Sequence, residues 1–184
     1  MIPSLSQVCS LSSPFDRDLE DYASAGCSYV EVWLTKIETY LQIHKLNDIH
    51  YWLEKTRLQL AVASYQGGLL ASQGEARREA WDHFHRRLDL CRELSIGTIV
   101  VACDVPPPLS QQTIERVQVS LVQLAKEAGL RQIKAALEFQ ATSSLGNNLQ
   151  SAAALVANVG SPHLGLCLDA FHWYTGPSKT EDLG

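Results

Sequence analysis

Two acidic residues and a histidine in the last third of the chain have types and spacings that could do chemistry. Asp169 follows an apolar run and precedes His172 by three residues in the segment Asp-Ala-Phe-His. A carboxylate and an imidazole at this spacing, beyond the end of a buried strand, can both reach the mouth of a site. The same pattern suits a structural role, in which Asp169 caps the following helix or turn and His172 is an exposed loop residue. The spacing alone leaves both interpretations open.

Glu138 is the second candidate, because it lies within the otherwise apolar run Ala-Ala-Leu-Glu-Phe. An ionised carboxylate in such a strand is costly unless a basic side chain or a bound cation compensates it. A salt bridge to a neighbouring Lys or Arg is therefore an equal alternative. If Glu138 and Asp169 lie on adjacent strands, about 4.8 Å apart, they repel each other unless a cation lies between them. Oxygen ligands with an imidazole suit Mn²⁺, Mg²⁺, Co²⁺ or Zn²⁺.

The elements that would position these residues alternate between strand and helix along the whole chain. Apolar runs and strict alternation predict strands, and apolar residues at steps of three and four predict helices. The predicted strands cover residues 5–10, 28–34, 60–64, 98–103, 134–139 and 164–169. Helices are predicted over residues 16–25, 37–57 (one or two helices), 75–95, 111–128 and 149–158, with stops at Gly26, Gly129 and Gly160.

Six βα units of this length predict a parallel sheet, either a closed barrel or an open doubly wound sheet. The segment after the first strand has no glycine-rich phosphate turn, which argues against the open dinucleotide-binding sheet. Polar residues share one face of several strands while the opposite faces, including Leu166 and Leu168, are apolar, which favours a barrel with a helix-covered exterior. We therefore predict one domain over residues 1–184, a (β/α)8 barrel of the TIM type that stops after the sixth strand. Because six units do not close such a barrel, we expect a piece of a longer chain.

The run of βα units, Glu138 in Leu-Glu-Phe, and Asp169 with His172 in LDAFHWY resemble the sugar phosphate isomerase/epimerase family with a xylose-isomerase-like barrel. The resemblance covers the whole chain but only the first six units of the barrel. It implies that Glu138 and Asp169 are two ligands of a divalent metal and that His172 contacts the substrate. The other two ligands of that family, a His on strand seven and a Glu on strand eight, have no counterpart in this sequence.

The resemblance also implies a reaction. The metal would act as a Lewis acid on adjacent sugar oxygens, and Glu138 would remove or return a proton through an enediolate. Glu31, on the inward face of the second strand, is a weaker candidate for substrate binding, with a paired structural carboxylate as its alternative. Gln66 precedes Gly67 and Gly68 after the third strand and is a further substrate-binding candidate, although a flexible turn explains the glycines equally.

Composition supports neither nucleic acid nor a membrane as a partner. Net charge is −5, so nothing in the charge balance favours nucleic acid, and no apolar run is long enough to span a membrane. Five scattered cysteines suit a reducing cytoplasm better than a disulfide framework. The predicted partner is a small-molecule sugar, and assembly into a homo-oligomer stays open. The alternatives are a dehydratase or other lyase of the same barrel, a zinc endonuclease of the endonuclease IV type, and a non-catalytic barrel fragment.

Overall fold

The computed structural model describes residues 2–183, and six parallel strands form one sheet in chain order. The strands are β1 (Leu5–Ser6), β2 (Tyr29–Trp33), β3 (Gln59–Gln66), β4 (Thr98–Cys103), β5 (Lys134–Phe139) and β6 (Leu164–Cys167). Each strand pairs with the next one along the chain, and the order never reverses. An open doubly wound sheet has a reversal point, whereas a barrel does not. The predicted TIM-barrel type of fold is therefore confirmed.

The helices connect these strands. They are α1 (Phe15–Ser24), α2 (Leu34–Tyr40), α3 (Leu46–Thr56), α4 (Gly74–Glu93), α5 (Gln111–Leu130), α6 (Leu149–Val159) and α7 (Ala170–Thr175). Short 3₁₀ helices cover Gln7–Ser10 and Thr180–Leu183. Gly160 caps α6 with a positive φ of 61°, as its position in the sequence indicates. None of the helices in this described range has the combination of length and apolar character that crossing a bilayer requires.

Three predicted details are wrong. The first strand ends at Ser6, because the Ser6 side chain accepts a hydrogen bond from the backbone of Val8 and starts a 3₁₀ turn. Gly129 does not end the fifth helix but lies within α5, where His163 packs against it. The sixth strand ends at Cys167, two residues before Asp169. The short helix α7 begins at Ala170, where the sequence left open whether Asp169 caps a helix or a turn.

The core lies between the outer face of the sheet and the helices. Val30, Val32, Leu137 and Phe139, four of the outward positions predicted to be apolar, are fully buried. The outer face of β6 differs, because Leu166 is 36% exposed there, whereas Leu168 lies beyond the end of the strand, is 50% exposed and borders a cavity at the carboxyl ends of the strands. No helix of residues 2–183 covers that end of β6 closely enough to bury them. The predicted helix-covered exterior therefore holds for β2 and β5 but not for the end of β6.

Candidate active site at the carboxyl ends of the strands

A cavity of about 590 Å³ lies at the carboxyl ends of the strands, where parallel barrels carry their active sites. This volume falls in the usual range for small-molecule sites, about 300–1,000 Å³. Three carboxylates from three different strand ends line it, namely Glu31, Glu138 and Asp169. The remaining lining residues are Ser6, Val8, Cys9, Leu11, Trp33, Ser64, Tyr65, Val100, Cys167 and Leu168.

Strand register brings Glu138 into this cavity. Glu138 lies beside Ala102 of β4 and Cys167 of β6, so these three side chains project to the same face of the sheet. Glu138 is half-buried, and its Oε2 accepts a hydrogen bond from Gln140 Nε2 at 3.3 Å. No Lys or Arg contacts its carboxylate among the described residues, so the salt bridge considered from sequence is absent.

Burial is the main reason why the pKa of Glu138 is raised above its ordinary value. The hydrogen bond from Gln140 opposes this shift, the negative charge of Asp169 adds to it, His172 opposes it and Glu31 adds to it. These interactions show that the side chains of Asp169, His172 and Glu31 lie within electrostatic reach of Glu138. Glu138 therefore lies near two other carboxylates and His172, and no Lys or Arg of the described residues pairs with it.

Asp169 combines the two roles that its sequence position left open. It is the N-cap of α7, and its Oδ1 accepts a hydrogen bond from the backbone N–H of His172 at 2.8 Å. It also lines the cavity with Glu138. This capping hydrogen bond uses Oδ1 and orients the carboxylate, so Oδ2 is the oxygen that can still bind another partner.

His172 lies in the first turn of α7, next to the cavity and outside the set of residues that line it. Its Nδ1 accepts a hydrogen bond from the backbone N–H of Ala141 at 3.4 Å, which places the proton of the neutral ring on Nε2. The loop after β5 therefore orients the imidazole, which keeps a donor for a substrate oxygen. Its contact with a substrate stays a prediction.

Glu31 projects into the cavity from β2, and Trp33 lies two residues further along the same face. The hydroxyl of Ser6 on β1 donates a hydrogen bond to Glu31 Oε1 at 3.2 Å. This hydrogen bond fits the structural alternative considered from sequence, but it engages one oxygen only. The carboxylate is still part of the cavity wall, so its role in substrate binding stays a prediction.

Gln66 is turned away from the cavity by an irregularity in β3. Ala63 pairs with Ile99 and Gln66 pairs with Val101, so three steps along β3 match two steps along β4. One extra residue reverses the alternation of faces, because side chains in a strand have a period of two. The side chain of Gln66 is consequently buried against the helix layer, where it accepts a hydrogen bond from Arg87 Nη1 at 3.2 Å. A contact between Gln66 and substrate stays untested.

Three other residues of the cavity wall were not proposed as site residues from the sequence, although the alternation of the strands placed two of them on the inner face. Tyr65 reaches the cavity next to the irregularity in β3, which no residue type announces. Trp33 shares a face with Glu31, a signal that the alternation of β2 does contain. Cys167 shares a face with Asp169, and burial, together with the charges of Glu138, Glu31 and Asp169, raises its pKa to about 12. Cys167 is therefore an uncharged thiol rather than a nucleophile.

A buried polar network supports the wall of the cavity on the side of β1 and β2. Lys36 Nζ donates to Asp18 Oδ2 at 2.5 Å and to the backbone oxygen of Ser10 at 2.6 Å. Gln7 Nε2 donates to the same carboxylate oxygen at 3.1 Å, and Gln7 Oε1 accepts from the backbone N–H of Trp33 at 3.2 Å. The network fixes the segment that carries Ser6 and Cys9 against Trp33, and we did not predict it from sequence.

The donor set of the cavity fits a divalent cation in chemical type. Carboxylate oxygens are the ligands that Mg²⁺ and Mn²⁺ prefer, and Glu138 and Asp169 repel each other without one. Within residues 2–183, no three side chains of His, Cys, Asp or Glu form a group that could hold a metal ion. Glu138 and Asp169 are two carboxylates of the type that such an ion prefers, and their role as ligands stays a prediction.

Comparison with known proteins places this geometry in context. A family model described as a xylose isomerase-like TIM barrel matches residues 19–182. Inosose isomerase of Halalkalibacterium halodurans is 24% identical over 178 residues, which are 91% of this chain and 61% of that protein. The chain thus spans about three fifths of the curated relative that it matches.

Two solved structures show the same fold. The IOLI protein, whose structure contains a zinc atom, superposes with a TM-score of 0.89 at 23% identity. The match covers 100% of this chain and 68% of the IOLI chain. D-psicose 3-epimerase from Clostridium cellulolyticum H10, solved with D-tagatose, superposes with a TM-score of 0.73 at 20% identity. The match covers 88% of this chain and 60% of the epimerase.

Proposed function

The chain belongs to the xylose isomerase-like TIM barrel family, and from this premise we propose that it acts as a metal-dependent isomerase or epimerase of a sugar or sugar phosphate. The observation that carries the proposal is the meeting of Glu138, Asp169 and Glu31 in one cavity at the carboxyl ends of the strands. Two related proteins are named as an inosose isomerase and a ketose epimerase, which supports carbonyl-shifting chemistry on polyhydroxylated substrates.

Glu138 and Asp169 would hold the metal, and the zinc atom in the related IOLI structure supports a divalent ion. When bound, such an ion supplies Lewis-acid stabilisation for negative charge that develops on substrate oxygens. The choice among Mn²⁺, Mg²⁺, Co²⁺ and Zn²⁺ is left to experiment. The hydrogen bond from the backbone N–H of His172 to Asp169 Oδ1 holds this carboxylate in one orientation, as hydrogen-bond partners of metal ligands commonly do.

Glu138 is the base in this proposal. It would remove the proton from the carbon next to the substrate carbonyl and return it to the neighbouring carbon, or a second acid on the opposite side of the substrate, such as the strand-eight Glu that the resemblance implies, would deliver a proton to the other face of the same carbon. The raised pKa of Glu138 suits this role, because a general base works best when its pKa approaches the working pH. The first return gives isomerisation and the second gives epimerisation.

His172 and Glu31 would orient the substrate. The Nε2–H of His172 can donate to a substrate oxygen because Nδ1 is engaged by Ala141. Glu31 keeps one carboxylate oxygen outside its bond with Ser6, and that oxygen can accept from a sugar hydroxyl. The free state of all five cysteines supports a cytoplasmic location, which stays a prediction together with any homo-oligomer.

Proton exchange tests the proposal most simply. The chain is incubated in D₂O with each divalent ion in turn and with a panel of ketoses, aldoses and inososes, and NMR follows deuterium at the carbon next to the carbonyl. We expect exchange with at least one substrate, and a loss of about 10²- to 10⁴-fold in Glu138→Gln, because that range is typical of a general base.

Glu79→Gln, an exposed substitution on α4, is the matched control and should exchange like the wild type. Exchange that survives Glu138→Gln unchanged would refute the assignment of the base. A dehydrated product would instead identify the lyase that shares this barrel. No exchange with any substrate and ion would refute the proposed function.

A further inference from the structure

The turn that follows β3 contains two glycines, and the structure requires each of them for a different reason. Gly68 has a φ of 75°, a conformation that residues with a side chain rarely adopt. Gly67 is not among the residues with a positive φ, but a Cβ at this position would lie 2.8 Å from Asp104 Oδ2. Gly68 therefore serves the backbone conformation of the turn, and Gly67 permits a close contact with Asp104.

Asp104 holds this turn from the side of β4. It directly follows the strand, and its Oδ2 accepts a hydrogen bond from the backbone N–H of Gly68 at 2.7 Å. The side chain is half-buried, and no Lys or Arg of the described residues pairs with it. Burial is the main reason why the pKa of Asp104 is raised, and the hydrogen bond from Gly68 opposes this shift. The carboxylate is thus costly to bury, and its bond with the turn offsets part of that cost.

Arg87 holds the end of β3 from the helix layer. Its Nη1 donates to the backbone oxygen of Tyr65 at 3.0 Å and to Gln66 Oε1 at 3.2 Å. Gln66 Nε2 in turn donates to the backbone oxygen of Gly67 at 2.6 Å. Both oxygens of Glu38 bind the Arg87 guanidinium at 2.7 Å, which fixes its orientation. The end of the strand is therefore fixed on the outside of the sheet as well.

Tyr65 is the side chain that this arrangement presents to the cavity. The residue lines the cavity wall and is 49% exposed, so burial alone does not hold its ring. Its Cε2 lies 3.6 Å from the Cβ position at Gly67, which is an ordinary van der Waals distance. The ring of Tyr65 and the carboxylate of Asp104 consequently both pack against Gly67. A change at Asp104 that releases the turn therefore also removes the support of the ring.

We propose that Tyr65 contacts the substrate and that Asp104 is a positioning residue, which holds the Tyr65 ring at the cavity wall through the turn at Gly67 and Gly68. The substrate contact rests on the proposed function, whereas the positioning of Tyr65 by Asp104 does not. A ring that is already held in place loses little conformational freedom when a ligand binds. Loss of Asp104 should therefore weaken substrate binding and leave the chemical step largely intact.

A double-mutant cycle in the deuterium-exchange assay tests this. The substrate is D-tagatose, or the member of the panel that exchanges fastest with the wild type. We expect Tyr65→Ala to raise KM by at least about tenfold and Asp104→Ala by at least about fivefold, with kcat within about threefold of the wild type in both. The double variant should have a KM within about twofold of Tyr65→Ala alone, because Asp104 acts through Tyr65.

Three further variants show whether the hydrogen bond with the turn is responsible. Asp104→Asn keeps an oxygen for the Gly68 N–H and should bring KM back to within about threefold of the wild type. Gly67→Ala displaces the carboxylate without removing it and should raise KM as Asp104→Ala does. Asp48→Ala is the matched control, because Asp48 accepts a 2.8 Å bond from the backbone N–H of Lys45 outside the cavity wall, and its loss should leave KM unchanged.

Fluorine NMR tests the positioning without a substrate. Labelling with 3-fluorotyrosine places fluorine on Cε, the ring position that packs against Gly67, and Tyr65→Phe identifies the Tyr65 resonance. We expect this resonance to move in Asp104→Ala and to return toward the wild-type position in Asp104→Asn. Asp48→Ala should leave it in place.

The outcomes separate the two parts of the inference from the proposed function. An unmoved Tyr65 resonance in Asp104→Ala, or increases in KM that multiply in the double variant, refutes the positioning role. Exchange with an unchanged KM in Tyr65→Ala refutes the substrate contact and leaves the proposed function standing. If no compound of the panel exchanges, the proposed function and the substrate contact are refuted together, and the fluorine spectrum alone decides the positioning.

Discussion

Removing Lys36 from its ion pair with Asp18 should greatly reduce the free energy of unfolding. Both side chains are almost fully buried, at 7% and 2% exposure, and Gln7 is the other side chain bonded to the Asp18 carboxylate. Lys36→Met keeps most of the aliphatic stem and removes the charge. The carboxylate of Asp18 then remains buried with one neutral donor.

The expected cost follows from that burial. Removing one partner of a buried pair costs about 3–5 kcal/mol, against a total stability of about 5–15 kcal/mol for a typical domain. For a chain of this size each kcal/mol lowers Tm by about 2–4 °C, so we expect a decrease of about 6–20 °C. Urea unfolding followed by circular dichroism gives the free energy, and calorimetry gives Tm.

Two variants separate this mechanism from a general loss of packing. Adding Asp18→Asn to Lys36→Met removes the unpaired charge, keeps an oxygen for Gln7, and should recover at least about 2 kcal/mol. Arg17→Met breaks an exposed pair with Asp21, at 63% and 53% exposure, and should change stability by less than about 0.5 kcal/mol. A Lys36→Met variant within about 1 kcal/mol of wild type would refute the reasoning.

Two further predictions concern pH and backbone conformation. Burial raises the pKa of Glu38, but the hydrogen bonds and charges of Arg87 and His83 together outweigh it and the net pKa is lowered. The ionised Glu38 contributes to stability above its unfolded pKa of about 4.3, and this contribution is lost as pH falls through the lower folded pKa. Below pH about 4.3, urea midpoints should therefore decline less steeply for Glu38→Gln than for wild type. Gly146 has a φ of 64°, and a Cβ there would lie 2.7 Å from Cys103 Sγ, so Gly146→Ala should lose about 2–4 kcal/mol by urea unfolding. Gly97→Ala, where an added Cβ meets nothing within 4 Å, should lose no more than about 1 kcal/mol, and equal losses at both sites would contradict the steric argument.

The sheet could be predicted well because its signals are local. The predicted bounds of β4 and β5 match the structure, since each is a short run of mainly β-favouring or apolar residues. Alternation in β2 also placed Glu31 and Trp33 on the inner face. These patterns depend only on neighbours in sequence, so no knowledge of the tertiary structure is needed to read them.

The parts that could not be predicted depend on contacts distant in sequence. The extra residue in β3 sends Gln66 outward and lets both Ser64 and Tyr65 line the cavity, and only pairing with β4 reveals it. The network around Asp18 joins residues 11 to 26 positions apart, each of which is an ordinary polar residue in its own segment. Sequence therefore identifies the carboxylates of the candidate site more readily than the residues that support them.

Metal binding by Glu138 and Asp169 is the central claim, and titration calorimetry with Mn²⁺ measures it directly. Asp169→Asn is an informative variant, because asparagine still caps α7 while offering a weaker, uncharged ligand. We predict that wild type binds Mn²⁺ and that Glu138→Gln and Asp169→Asn each bind at least about tenfold more weakly, whereas exposed Asp82→Asn binds like wild type. Wild-type affinity in either site variant, or no binding by the wild type, would contradict the account.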